Sequence, residues 1–142
     1  MTLILPSQGP LITPLPVAAT GDAKIDKTDL TLTTSFVDSI ELSFVMPTGW
    51  NTALIVARGS AAVEFTAGSG SFLDPRIEIG SSNGDFSAYL PGVLNVHYDA
   101  SASHKAVVTG DVQVSLAIRK LGGSSTLISR SQELSYIAMR AS

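Results

Sequence analysis

The stretch that decides the fold class is residues 111–119, Asp-Val-Gln-Val-Ser-Leu-Ala-Ile-Arg. Every second residue from Val112 to Ile118 is a large aliphatic one, and polar or small residues lie between them. This period of two is what a β-strand needs in order to bury one of its faces. Residues 40–46, Ile-Glu-Leu-Ser-Phe-Val-Met, repeat the pattern. Both stretches are therefore predicted to be strands with one buried face.

The remainder of the chain after residue 21 predicts further short strands and no helix. No window carries the apolar i, i+3, i+4, i+7 stripe of an amphipathic helix. Strands at turn spacings of roughly ten residues are typical of an antiparallel sandwich, and the number predicted exceeds what an immunoglobulin constant-type domain needs. We therefore predict an all-β fold, an antiparallel two-sheet jelly-roll sandwich. The further strands are predicted at residues 30–36, 53–58, 62–66, 76–79, 86–90, 93–98, 105–109, 126–130 and 133–140.

Composition excludes several classes of protein. The chain has 142 residues, a net charge of -3 and no cysteine. The length favours one domain, the charge lacks the basic clusters of nucleic-acid-binding proteins, and the missing thiols exclude disulfides and thiolate metal sites. No apolar run is long enough to span a membrane. The apolar N-terminus lacks a basic region and contains four prolines, so it is not predicted to be a signal peptide.

Residues 1–20 differ from the remainder and are predicted to be an extended, proline-rich arm, with the sandwich domain at residues 21–142. Proline fixes φ and favours extended backbone at the residue before it, so the apolar side chains of such an arm cannot bury one another. A mobile terminus is one interpretation. We expect instead an arm that docks on the body or on a neighbouring subunit. Its predicted assembly residues are Leu3, Ile4, Leu5, Pro6, Leu11, Ile12, Leu15 and Val17.

Low charge points to assembly as well. Charged residues are 15% of the chain, well below the roughly 25% of an average soluble domain. Interfaces between subunits are depleted in charge, and closed rings of identical subunits bury such surfaces. We therefore predict a homotrimer or higher assembly that also uses outward-facing small residues. The residues predicted to form these faces are Ala53, Ala57, Ala61, Ala88, Ala106, Ala117 and Ala138.

Motifs for catalysis are weak. His97, Asp99 and His104 are a conceivable metal site, but they lack the compact His-x-His spacing of cupin enzymes, and a hairpin with its turn at residues 99–103 explains the same residues. We predict no catalytic, cofactor or metal site, and no enzyme activity. Trp50, the single tryptophan, is a candidate for stacking on a sugar, with a plug at the edge of the core as the alternative.

Three segments resemble small virion proteins of tailed bacteriophages. Residues 3–12, Leu-Ile-Leu-Pro-Ser-Gln-Gly-Pro-Leu-Ile, resemble the N-terminal segment of such proteins. Residues 49–56, Gly-Trp-Asn-Thr-Ala-Leu-Ile-Val, and 134–140, Leu-Ser-Tyr-Ile-Ala-Met-Arg, resemble their jelly-roll decoration and fibre modules. The resemblance implies a tumour-necrosis-factor-like jelly roll, assembled as a trimer on a capsid or at a tail or fibre. It carries over no catalytic residue.

We therefore expect a structural protein of a phage virion, a trimeric decoration or cement protein on the capsid surface rather than the tail. Its expected partners are itself and the major capsid or other virion proteins, with neither nucleic acid nor membrane. A glycan-binding tail or fibre module of the same fold, using Trp50, is the alternative.

Overall fold

The computed structural model describes residues 18–21, 23–84, 88–89 and 95–142, and these form two packed antiparallel sheets. No helix in those ranges has the length and apolar character to cross a bilayer. In chain order the strands are β1 (Ala18–Thr20), β2 (Lys24–Asp26), β3 (Leu30–Thr31), β4 (Val37–Phe44), β5 (Ala53–Ala67), β6 (Phe72–Ile79), β7 (Ser82–Asn83), β8 (Ala88–Tyr89), β9 (His97–Val108), β10 (Val112–Leu121) and β11 (Thr126–Arg140).

The order of the strands is that of a jelly roll. Sheet A runs β1-β11-β5-β9, and the short strands β2 and β3 also pair with β11. Sheet B runs β4-β10-β6, and β7 and β8 pair with β6. The long strands alternate between the sheets along the chain, from β4 in sheet B to β5 in sheet A and so on to β11. The predicted two-sheet jelly-roll sandwich is confirmed.

Several strands are longer than the sequence pattern predicts. The predicted strands at residues 53–58 and 62–66 are one continuous strand, β5, and those at 126–130 and 133–140 are joined in β11 through a bulge at Arg130. The predicted turn at residues 99–103 is wrong, because β9 runs unbroken through it. In this part of β9, Ala100 and Ala102 point into the core and Ser101 and Ser103 point to solvent. Buried and exposed positions therefore alternate as in any strand, although all four residues are small.

At the middle of β5, large side chains of sheet B pack against small residues of sheet A. Sheet B supplies fully buried aliphatic residues such as Ile77 and Leu116. Opposite them, Gly59 lies so close that an added Cβ would be 3.1 Å from Ile77 Cδ1 and 3.2 Å from Leu116 Cβ. The sheets therefore approach closely at the middle of β5. Small inward residues make this approach sterically possible.

The alanines predicted to form outward assembly faces lie mostly inside the protein. The alanines at 53, 57, 61, 117 and 138 are at most 2% exposed, and Ala106 is half-buried against the core. The side chain of Ala88 lies outside the described part of the chain. The prediction is wrong because Ala53, Ala57, Ala61 and Ala138 have the inward parity of their strands, whose outward positions carry the larger side chains. Ala117 has the outward parity of β10, opposite Arg76, but is buried there. The alanines that the structure describes therefore offer no exposed small-residue face.

Two loops interlock at one end of the sandwich, residues 68–71 after β5 and residues 122–125 after β10. The Ser71 hydroxyl donates to Gly122 O at 2.9 Å, and Ser124 N donates to Ser69 O at 3.1 Å. Gly122 and Gly123 both have left-handed backbone, with φ of 63° and 61°. A Cβ on Gly122 would meet open space, whereas one on Gly123 would collide with the backbone of residues 69–70. Backbone conformation therefore favours glycine at both positions, and lack of space for a side chain requires it at Gly123 as well.

Substitution of the two glycines distinguishes the effect of backbone conformation from that of the steric clash. We expect Gly122→Ala to lower the free energy of unfolding by about 1 kcal/mol, the cost of a left-handed backbone for an L-residue. Gly123→Ala adds a steric clash and is expected to cost about 1–3 kcal/mol more. Urea unfolding of both variants measures the difference. Equal losses for the two variants would show that the loops are not in contact.

Candidate functional site

The outer face of sheet A is divided along its strands into three zones of different chemistry. The inner face is closed by the core, so the residues of alternate parity in β5, β9 and β11 form this outer surface. In β5 the even-numbered residues from Leu54 to Thr66 point outward and the odd-numbered ones are buried. Register with the neighbouring strands then places each outward residue beside its partners.

The first zone, which we call the apolar end, lies where β5 begins. Leu54 pairs with Met139 on one side and Val107 on the other, and Val56 pairs with Ile137. Residues directly opposite one another on antiparallel strands have their Cβ atoms about 5 Å apart, so these five side chains are contiguous. Val107 is 63% exposed and Ile137 is 50% exposed, and the others are partly exposed. The apolar end is therefore a contiguous aliphatic surface open to solvent.

The second zone is a shallow depression of about 630 Å³ in the middle of the face. We call it the serine depression, because hydroxyl side chains from three strands line it. Arg58 and Glu133 lie at its borders. It lies over the close approach of the two sheets, since Gly59 is part of its wall. Its serines are Ser60, Ser101, Ser103 and Ser135.

The third zone, the charged end, lies at the far end of β5. The bulged residue Arg130 donates from Nε to Glu64 Oε2 at 2.6 Å and from Nη1 to Asp29 Oδ2 at 2.5 Å. These hydrogen bonds, that to Glu64 foremost, raise the pKa of Arg130 above its usual value. His97 Nε2 is 3.9 Å from the same Glu64 oxygen. Arg130 is thus paired with both Glu64 and Asp29.

The middle of the outer face of sheet B is covered by a cluster of aromatic and paired charged side chains. Arg76 and Arg119 each lie over the ring of Phe36, with their Cζ atoms 3.6 Å and 4.1 Å from its centroid. Arg119 Nε donates to Asp74 Oδ2 at 2.7 Å, and Arg76 pairs with Glu78. This cluster covers the middle of sheet B with satisfied charges. The outer face of sheet A is therefore the better candidate for an interaction surface.

The arm lies outside the described residues, apart from its last three. Residues 1–17, with all eight predicted assembly residues, are not described. Residues 18–20 form strand β1, which pairs with residues 137–139 of β11. The chain thus enters the sandwich beside Met139, at the border of the apolar end.

Trp50 is a core residue. Its side chain is among the buried hydrophobic ones, with the residue 6% exposed, and its indole nitrogen is buried without a hydrogen-bond partner among the described residues. Stacking on a sugar needs an exposed ring face, so the interpretation of Trp50 as a glycan contact is wrong. The alternative interpretation, a plug at the edge of the core, agrees with its position.

The two histidines lie on opposite faces of β9. His97 points to the outer face, whereas the His104 ring lies at the edge between the sheets, with Nε2 2.8 Å from Ser82 Oγ. The parity of a strand keeps residues 97 and 104 apart, so His97, Asp99 and His104 cannot converge on one ion. Within the described ranges no group of three or more His, Asp or Glu side chains is placed to hold a metal.

Sequence reasoning missed the apolar end, although the sequence contains a signal for it. Arg58 and Glu64 mark the even positions of β5 as outward, and Lys105 and Glu133 mark the odd positions of β9 and β11. The aliphatic residues of the same parity must then face solvent too.

Comparison with known proteins finds remote similarities. No protein-family model matches the sequence, and no curated protein matches it. A structure of the infectious bursal disease virus Gx strain matches with 12% identity over 87% of this chain and 32% of that chain, at a TM-score of 0.42. A structure of the Gt strain matches with 14% identity over 80% of this chain and 33% of that one, at a TM-score of 0.34. A D431N mutant VP2 protein of the same virus, in derived T=1 particles, has 12% identity, coverages of 83% and 32%, and a TM-score of 0.33. The chain spans about a third of the length of these matched chains.

The burial of Trp50 gives a direct prediction, because it is the single tryptophan. We expect fluorescence emission well to the blue of the unfolded protein and weak quenching by acrylamide. Unfolded protein in urea is the control, where the same indole is accessible. Quenching of the native protein as strong as in urea would contradict a core position for Trp50.

Proposed function

We propose that this chain is a self-assembling structural protein of a phage virion, a trimeric decoration or cement protein that binds the capsid surface. The observation that carries the proposal is the apolar end of sheet A, a contiguous aliphatic surface open to solvent. Exposed apolar patches on small domains mark contact sites for other proteins. The resemblance of the arm and body to phage decoration proteins supports the virion location.

The jelly-roll fold alone leaves three broad classes open, namely capsid proteins, lectins and cupins. The side chains described above favour the first. The histidines of β9 face opposite ways, unlike a set of metal ligands, and the tryptophan expected to hold a sugar is buried. The apolar end instead offers what a subunit interface needs, an apolar centre with Lys105 and Arg58 at its border.

A second candidate is the glycan-binding module, now placed at the serine depression instead of Trp50. Its hydroxyl groups and the flanking Arg58 and Glu133 are suited to hydrogen bonding with sugar hydroxyls. A single variant separates the candidates. Ile137→Glu is expected to abolish assembly and capsid binding, whereas a glycan-binding protein would keep its affinity for a sugar on a glycan array.

The mass of the protein in solution tests self-assembly. We expect a mass of three chains for the native protein in light scattering, and a single chain for Ile137→Glu, because moving a carboxylate from water into an apolar contact is costly. Ile25→Glu is the matched control, since Ile25 is a 62% exposed isoleucine on another strand of sheet A. It is expected to leave the assembly intact. A native protein that stays a single chain up to millimolar concentration contradicts the proposal.

The place of the protein in virus particles tests the virion role. We expect electron microscopy of purified particles to find many copies spread over the shell. Particles with Ile137→Glu are expected to lack the protein. A few copies confined to the tail would contradict the cement role and favour the tail module.

A further inference from the structure

Two apolar parts of this chain are expected to bind another apolar surface. One is the apolar end, formed by Leu54, Val56, Val107, Ile137 and Met139. The other is the arm sequence, residues 2–17, which contains seven aliphatic Leu, Ile or Val residues and no charged residue. Uncharged aliphatic segments are poorly suited to remain in water. The aliphatic residues of the arm and those of the apolar end are therefore chemically suited to pack against each other.

The arm joins the sandwich at the border of the apolar end. Ala18, the first described residue, pairs with Met139 and is exposed on the same face. The outward residues Ala18, Met139, Leu54 and Val107 thus form one row across four strands. Ala18, to which the arm is attached, therefore lies in this row.

The direction of β1 at Ala18 points away from the centre of the apolar end. β1 is antiparallel to β11, so the chain traced from Thr20 back to Ala18 runs from the level of Ile137 to that of Met139, towards the end of β11. To cover its own sheet the chain would have to reverse at once. Pro14 and Pro16 instead favour extended backbone at the residues before them.

The arm is long enough to reach a neighbouring subunit. Sixteen extended residues span about 50 Å, whereas a compact domain of this size has a radius of gyration of about 14 Å. An arm that continues straight therefore extends past its own domain. In a closed symmetric assembly each neighbouring copy carries the same apolar end, so a surface of matching chemistry is available on the next subunit.

We propose that the apolar end of sheet A is the docking site for residues 2–17 of a second copy of this chain. The inference rests on the proposed self-assembly and names its contact. Aliphatic side chains of the arm pack on Val56, Ile137 and their neighbours, and the contact is relayed from copy to copy around the closed ring. The arm thereby ties the subunits together through a surface that each of them carries.

Cysteine cross-linking of the full chain tests the contact, because the native sequence has no cysteine. Three arm variants, Leu5→Cys, Leu11→Cys and Leu15→Cys, are each mixed with a mass-tagged Val56→Cys chain under mild oxidation. We expect at least one of the three mixtures to form a disulfide between tagged and untagged chains. The matched control is a tagged Ile25→Cys chain, exposed on the same sheet outside the apolar end, which is expected to form at least tenfold less.

The outcomes distinguish this inference from the proposed function. Equal cross-linking at positions 56 and 25, or none at position 56 in chains that light scattering shows to be assembled, overturns the docking site and leaves self-assembly standing. A double variant with cysteines at 11 and 56 that closes only within one chain overturns the exchange between copies. A native protein that is a single chain at all concentrations overturns the self-assembly itself.

Discussion

The close approach of the two sheets at Gly59 is the constraint on which the rest of the structure depends. A Cβ at this position would lie 3.0 Å from Glu133 O and hardly farther from the side chains of sheet B. Small inward residues along β5 and β9 allow this distance, and large ones in sheet B fill the space between. Away from Gly59 both sheets contribute large buried side chains, for example Ile55 and Phe65 of β5. Leu54 and Val56 have the opposite parity and lie on the outward side of β5.

The outer faces of the two sheets differ in chemistry. Sheet B is covered by Phe36 and the arginines stacked on it, whose charges are paired with Asp74 and Glu78. Sheet A has paired charges at one end, hydroxyl groups in the middle and bare aliphatic side chains at the other end. A face of this kind is amphipathic along its length. It suits a partner that binds at one end while the other end remains in water.

The fold was predictable from β4 and β10, where polar and large apolar side chains alternate regularly along the strand.

The sequence pattern did not predict which face of β5 is buried. Residues 53–57 are apolar without interruption, so their own pattern does not say which side is buried. We placed the alanines outside because large residues are expected in a core, whereas packing against Ile77 and Leu116 requires small ones. The prediction of a turn that includes Ser101 and Ser103 fails because serine is frequent in turns but is equally acceptable on the outside of a strand. The arm was predicted from its prolines, but the docking site that we propose for it was not, since the apolar end is formed by strands distant in sequence.

The central claim is that the apolar end is covered when the protein assembles. Carbene footprinting of the native chain, at concentrations below and above assembly, measures the accessibility of each side chain directly. The account predicts that labelling of Val56, Val107 and Ile137 falls several-fold on assembly, while that of the exposed Ile25 and Val45 is unchanged. Equal labelling of Val56, Val107 and Ile137 in the single chain and in the assembly would contradict it.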